Sequence, residues 1–144
     1  MRASIVVPLL LSAIFTSTAS TQNCACELMA PYFTYEKVVT DPEVIGRTSV
    51  VFTLHGKLNR DVKDVKVTAI SSYCVAGNCI PLDTRVLECC NASSDFRAGA
   101  VAISVRTEIP SYAPFGEYNV KLLYEAEVQS ERVQFACAET DFDL

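Results

Sequence analysis

Apolar and polar residues alternate with a period of two along much of the chain. Successive side chains of a strand point to opposite faces of a sheet, so this period predicts strands with one apolar face. No apolar period of 3.6 residues extends beyond two helical turns. The predicted strands run through residues 32–39, 50–55, 65–69, 84–89, 101–106, 118–124 and 133–137. The signal at 84–89 is the weaker one.

Residues that favour turns separate these segments. About seven short strands, each with one inward apolar face, predict an all-β fold. The expected architecture is an immunoglobulin-like, two-sheet antiparallel β-sandwich. The sequence has no Trp, which excludes an antibody-type domain with its Cys…Trp…Cys spacing. The predicted turns lie at Asp41-Pro42, Asn59-Arg60-Asp61, Ala76-Gly77-Asn78, 91–95 and 110–116.

The first twenty residues differ from the rest of the chain. Arg2 supplies a basic start, residues 5–15 form an apolar run, and residues 17–20 are small. This order predicts a secretory signal peptide over residues 1–20, followed by one domain over residues 21–144. The apolar run is too short to span a bilayer. We therefore expect a protein that is secreted or resides in an endolysosomal or vacuolar lumen.

Seven cysteines follow the predicted signal peptide, and in an oxidising compartment such cysteines mostly form disulfides. Because the number is odd, at least one is free or pairs between chains. Asn91-Ala92-Ser93 is a glycosylation sequon, which predicts a carbohydrate on Asn91 in a surface loop. The cysteines are Cys24, Cys26, Cys74, Cys79, Cys89, Cys90 and Cys137.

Charge and motif content narrow the function classes. The chain carries 17 Asp and Glu against 12 Lys and Arg, a net charge of −5. This balance argues against nucleic acid as a partner, since phosphate binding needs clustered basic residues. His55 is the only histidine, so a multi-histidine metal site is excluded. Since nucleophile-elbow, phosphate-loop and dinucleotide motifs are also missing, we predict a protein without enzyme activity, metal or cofactor.

Two segments near the C-terminal end carry a more specific pattern. The first is Glu108-Ile-Pro-Ser-Tyr-Ala-Pro-Phe-Gly-Glu-Tyr-Asn-Val-Lys-Leu122, and the second is Val133-Gln-Phe-Ala-Cys-Ala-Glu-Thr-Asp-Phe-Asp-Leu144. Together with residues 35–64, they resemble the ML lipid-recognition family, which includes the Niemann–Pick C sterol carrier and phosphatidylglycerol/phosphatidylinositol transfer proteins. The resemblance covers most of residues 21–144. The four cysteines between residues 74 and 90 depart from its pattern.

This resemblance implies a splayed sandwich that holds a sterol or a phospholipid between its sheets. It implies transient membrane contact and allows a protein receptor as a further partner. The cavity mouth would be formed by Tyr112, Pro114 and Phe115. The cavity would be lined by Phe33, Val50, Phe52, Leu54, Val65, Val67, Ile103, Val105, Tyr118, Val120, Leu122 and Phe135.

The resemblance also implies a disulfide that joins Cys137 to a cysteine near the mature N-terminus, either Cys24 or Cys26. Cys74 and Cys79 flank a short predicted hairpin loop, which places them to pair locally. Adjacent cysteines rarely bridge each other. We therefore expect one member of the Cys89-Cys90 pair to take the remaining N-terminal cysteine and the other to be the odd thiol.

Two other interpretations remain open. From the alternation alone, the apolar faces would pack directly against each other, as in any sandwich. The chain would then be an extracellular, co-receptor-like protein-recognition module with a filled core. A redox-active thiol protein is a third interpretation, which disulfides that resist mild reduction would exclude.

Overall fold

The computed structural model describes residues 32–43, 49–87, 89–90 and 93–144. These residues form an all-β fold with no helix among them, as the alternation predicts. The predicted signal peptide, Cys24, Cys26 and Asn91 lie outside the described residues. The strands are β1 (Phe33–Glu43), β2 (Ser49–Leu58), β3 (Lys63–Val75), β4 (Asn78–Leu87), β5 (Gly99–Glu108), β6 (Glu117–Val128) and β7 (Glu131–Asp143).

The strands form two antiparallel sheets, which confirms the predicted two-sheet sandwich. One sheet has three strands in the order β1-β2-β5, and the other has four in the order β4-β3-β6-β7. After β4 the chain crosses between the sheets, and Cys89 forms an isolated bridge with Val105 of β5. The sandwich therefore has β1 above β7 on one side and β5 above β4 on the other.

Two sequence predictions about strand limits are wrong. Asp41-Pro42 is not a turn but belongs to β1, where Pro42 pairs with Val50. β1 lies at an edge of its sheet, where a residue without an N–H donor is tolerated. The weak strand predicted at 84–89 is in fact Asn78–Leu87. Its hairpin with β3 turns at Ala76 and Gly77, which both have a positive φ, as tight hairpin turns require.

The two sheets are joined along the β1–β7 side. The hydroxyl oxygens of Thr40 and Thr140 are 2.9 Å apart, within hydrogen-bond distance across the gap. The Phe33 and Phe135 rings meet edge to face, with their centroids 6.1 Å apart. On the opposite side β4 and β5 barely touch. The sheets are therefore in close contact along one side, whereas on the other side they meet mainly where the chain crosses near Cys89.

Gly56 of β2 lies beside Tyr35 of β1, where these two paired strands approach closely. A Cβ atom at this position would collide with the Phe33 ring and with the backbone carbonyl of Thr34. The register of β1 against β2 also shifts nearby, between Tyr35 and Lys37. A residue without a side chain is therefore required by the close approach of the two strands.

The Gly56→Ala substitution is expected to lower the free energy of unfolding by about 1–3 kcal/mol, because one added methyl group overpacks this contact. Urea denaturation measures the change, with the exposed neighbour substitution Lys57→Ala as the control. A loss no larger than that of the control would show that β1 does not approach Gly56 this closely.

Tyr124 is completely buried in the core. Its hydroxyl has no hydrogen-bond partner among the residues that the structure describes. Burial raises the pKa of Tyr124 well above the ordinary value, with a smaller contribution from Tyr35. The unfolded chain therefore loses this proton first, and the native state loses stability as the pH rises above about 10.

The Tyr124→Phe substitution is expected to raise the free energy of unfolding by about 1 kcal/mol at neutral pH, since it removes an unpaired buried hydroxyl. It should also flatten the decline in stability above about pH 10. Denaturation at neutral and alkaline pH measures both effects. Tyr112→Phe, on an exposed ring, is the control. Destabilisation by Tyr124→Phe would instead show that the hydroxyl is hydrogen-bonded.

Candidate functional site

A cleft of about 410 Å³ lies between the sheets and extends from Arg85 of β4 across to Phe142 of β7. Its walls include Ser71 of β3, Thr107 of β5 and Val120 of β6, so both sheets contribute to it. Residues 109–116, which connect β5 and β6, border its opening, and we call them the mouth loop. Small-molecule pockets span about 300–1,000 Å³, and the loop cleft, as we name this space, falls within that range.

Two tyrosine hydroxyls hold the mouth loop in place. The Tyr118 hydroxyl donates a hydrogen bond to the Pro114 carbonyl at 2.8 Å. The Tyr73 hydroxyl donates to the Phe115 carbonyl at 3.0 Å. The two tyrosine rings also contact each other, with their centroids 5.1 Å apart. Because Tyr73 is on β3 and Tyr118 is on β6, the loop is fixed to the four-stranded sheet.

The mouth loop carries exposed aromatic side chains. Tyr112 is 86% exposed and lines the loop cleft. Phe115 is 71% exposed but does not line it. Of the three residues predicted to form a cavity mouth, Tyr112 and Pro114 therefore border the cleft, and Phe115 lies on the same loop beside it.

An ion pair lies on the β4 wall of the loop cleft. The Arg85 guanidinium donates two hydrogen bonds to one carboxylate oxygen of Asp83, at 2.7 Å from Nη2 and 3.0 Å from Nε. In the register of β3 with β4, these residues pair with Ala69 and Ser71, whose side chains also line the cleft. Both charged side chains are about half exposed, at 49% and 47%. The cleft thus combines apolar walls with a polar rim.

A second opening lies beside the first along the edge of β5. This edge cleft, of about 730 Å³, is bordered by Arg106 and Val105 and shares Arg85, Thr107 and Glu108 with the loop cleft. The two clefts therefore form adjacent parts of the gap between β4 and β5.

Cys90 borders the edge cleft and is bonded to Cys89. The expectation that adjacent cysteines do not pair is therefore wrong, and neither is the odd thiol. Cys89 is held by its bridge to Val105, and Cys90 has a φ of 75°. This left-handed conformation turns the chain sharply, which allows neighbouring side chains to meet.

The local pairing of Cys74 with Cys79 is confirmed. These residues lie directly opposite each other in the β3–β4 hairpin. Cys137 is also disulfide-bonded. The partner that we expect for it, Cys24 or Cys26, lies outside the described residues. Disulfides of this kind are typical of an oxidising, extracellular or lumenal compartment.

All of the residues predicted to line a lipid cavity are buried between the sheets. Of these, Tyr118 and Val120 border the loop cleft, and Val105 borders the edge cleft. The others lie in the packed core away from both openings, namely Phe33, Val50, Phe52, Leu54, Val65, Val67, Ile103, Leu122 and Phe135.

Sequence reasoning missed the β4 wall of the cleft, which includes Leu82, Asp83 and Arg85. Pro81 interrupts the strand signal, and the register shifts opposite Leu82, so the apolar alternation fails there. The sequence does carry opposite charges two residues apart, at Asp83 and Arg85. Because residues i and i+2 share one face of a strand, this spacing could have indicated a charged strand face here.

In the part of the chain that the structure describes, the His, Cys, Asp and Glu residues form no group of three or more that is arranged to hold a metal ion. The same part contains no helix that is both long and apolar enough to cross a membrane.

No protein-family model matches the chain, and no curated protein is significantly similar to it in sequence.

Proposed function

We propose that this protein binds a single lipid, a sterol or a phospholipid, in the loop cleft and carries it between membranes. The observation that supports this most directly is a largely apolar cleft that both sheets line and that the mouth loop borders. Each buried CH₂ group stabilises a bound chain by about 0.8 kcal/mol, so a shielded lipid avoids a large cost of exposure to water. Such a carrier needs no chemical step, metal or cofactor.

The polar rim supports an amphiphilic ligand. Asp83, Arg85 and Glu108 lie at the opening, while Ala69 and Val120 form apolar wall farther along. A few polar groups beside an apolar pocket orient a ligand and give it specificity. The hydroxyl or headgroup of a lipid would bind at the rim, with its apolar body in the cleft.

The mouth loop supports exchange at a membrane surface. Tyr112 and Phe115 are exposed beside the opening, and aromatic rings of this kind suit the boundary between water and an apolar phase. The loop also lies within residues 108–122, the segment that resembles the ML lipid-recognition family. The protein would act outside the cell or in an endolysosomal or vacuolar lumen.

The test is native mass spectrometry of the protein purified from a eukaryotic host, followed by organic extraction. One lipid class at about equal molar ratio is the expected result, since the proposal places a single ligand in the loop cleft of about 410 Å³. A lipid-free mass, with no uptake from vesicles that contain cholesterol and phosphatidylcholine, would contradict the proposal.

A second function, protein recognition, is favoured by a different observation. β4 carries three large apolar side chains that are exposed, namely Ile80 at 58%, Leu82 at 56% and Val86 at 67%. Exposed apolar surface of this kind commonly marks an interaction site. A lipid-free protein with this surface would act as an extracellular recognition module.

A further inference from the structure

β4 differs from the other outer strand of its sheet. Every residue from Asn78 to Val86 is exposed. β7, at the opposite edge, buries Phe135–Ala138 because it packs beneath β1. In the part of the chain that the structure describes, no strand pairs with the outer edge of β4. Such an edge presents unpaired N–H and C=O groups and is a template for another strand.

The charges on β4 are arranged symmetrically. Asp83 and Arg85 are the only charged residues of the strand, and they lie on either side of Thr84. If two β4 strands pair antiparallel about a two-fold axis at Thr84, Asp83 of each lies opposite Arg85 of the other. Opposite charges in such cross-strand positions stabilise the pairing.

We propose that β4 is the interface for a second copy of this chain. The two strands pair antiparallel with Thr84 at the centre and join two four-stranded sheets into one continuous sheet. The interface is isologous, because the same residues are used on both sides. This proposal does not depend on lipid binding.

The ion pair between Asp83 and Arg85 within one chain leaves a polar atom of each side chain available to the partner copy. Arg85 donates from Nε and Nη2 to the same Asp83 oxygen, Oδ2. Asp83 Oδ1 and Arg85 Nη1 form no hydrogen bond or ion pair with the other described residues. An ion pair exposed on one strand contributes little to stability, so its members can be shared with a second strand.

A second copy fits this edge better than a lipid surface does. Lipid chains cannot satisfy the backbone donors and acceptors of an open strand edge, whereas an identical strand satisfies them over residues 83–85, beyond Pro81, which has no N–H donor, and beyond the register shift at Leu82. The strand is also neutral overall, while the chain carries a net charge of −5. Two copies that approach through β4 therefore avoid the repulsion that opposes contact elsewhere.

Sedimentation equilibrium of the full, oxidised protein tests the proposal over a range of about 5–500 µM. One strand pair forms an interface at the small end of the known range, so we expect dissociation in the micromolar range. Asp83→Lys or Arg85→Glu alone places like charges opposite each other. Each is expected to weaken dimerisation at least about tenfold.

The decisive measurement is whether dimerisation returns when the two single variants are mixed or when both changes are combined in one chain. The Asp83→Lys chain presents two cations on β4, and the Arg85→Glu chain presents two anions. An equimolar mixture of the two chains is therefore expected to form a heterodimer. The double variant D83K/R85E is expected to dimerise like the original protein, since the charges are exchanged but remain opposite.

Matched controls change the same charges elsewhere. Lys57→Glu on β2 and Glu127→Lys on β6 alter exposed side chains away from β4 and should leave dissociation unchanged. Circular dichroism verifies folding, and recovery in the mixture also excludes unfolding as the cause of a loss.

Several outcomes would overturn the proposal. These are a monomer at every concentration, single variants that dimerise like the original protein, or a mixture that stays monomeric. Association that appears only with added phosphatidylcholine vesicles and ignores the charge changes would overturn it in favour of a lipid-bridged contact.

Discussion

The Phe52→Ala substitution is expected to lower the free energy of unfolding by about 3–5 kcal/mol. Phe52 is completely buried on β2 and reaches across the sandwich to Phe142 of β7, with ring centroids 6.0 Å apart. Its removal deletes a contact between the sheets and leaves a void that the packed strands cannot fill. Since domains are stable by only about 5–15 kcal/mol, this loss brings the protein close to unfolding.

Chemical denaturation measures this effect, and Val39→Ala is the control because Val39 is an apolar strand residue that is 40% exposed. The control should cost much less, since little buried surface is lost. A loss of less than about 1.5 kcal/mol for Phe52→Ala would mean that the core is loosely packed around the ring. The apolar space between the sheets would then extend beyond the loop cleft.

The Ser71→Phe substitution is expected to reduce lipid uptake at least about tenfold while leaving the fold intact. Ser71 lies on β3 opposite Val120 and Asp83, and its side chain lines the loop cleft. The added ring would occupy the apolar space that the proposed ligand needs. Because this space is open, the ring enters without displacing the core.

The next residue gives a matched control. Ser72 is on the opposite face of β3, so Ser72→Phe adds the same ring outside the cleft. Binding of fluorescent sterol and phospholipid analogues to both variants measures the difference. Unchanged uptake by Ser71→Phe would place the ligand elsewhere or exclude lipid binding.

The period of two predicts the strands whose inner and outer faces differ in polarity. β5 and β6 are examples, because Ile103 and Val105 alternate with exposed residues on β5, as Val120 and Leu122 alternate with more exposed ones on β6. The alternation fails for β4, since a strand exposed on both faces has no buried side to define the period. Its bounds depend on pairing with β3, which no local pattern contains.

The candidate site was predictable only in part, for a related reason. The alternation identifies which side chains face inward, but not how far away the other sheet lies. Val120 therefore borders a cleft while Leu122, two residues along the same face, is packed in the core. The mouth residues Tyr112 and Pro114 were found because their segment resembles a family pattern. The adjacent pairing of Cys89 with Cys90 depends on a backbone turn that the sequence does not reveal.

The join along β1 and β7 sets how the sandwich can deform. Thr40 and Thr140 connect the sheets on that side, whereas β4 and β5 barely touch on the other. The contacts between β1 and β7 thus form a hinge between the two sheets. Any separation of the sheets would therefore be a rotation about this side, and the chain that crosses from β4 to β5 at Cys89 would limit its extent.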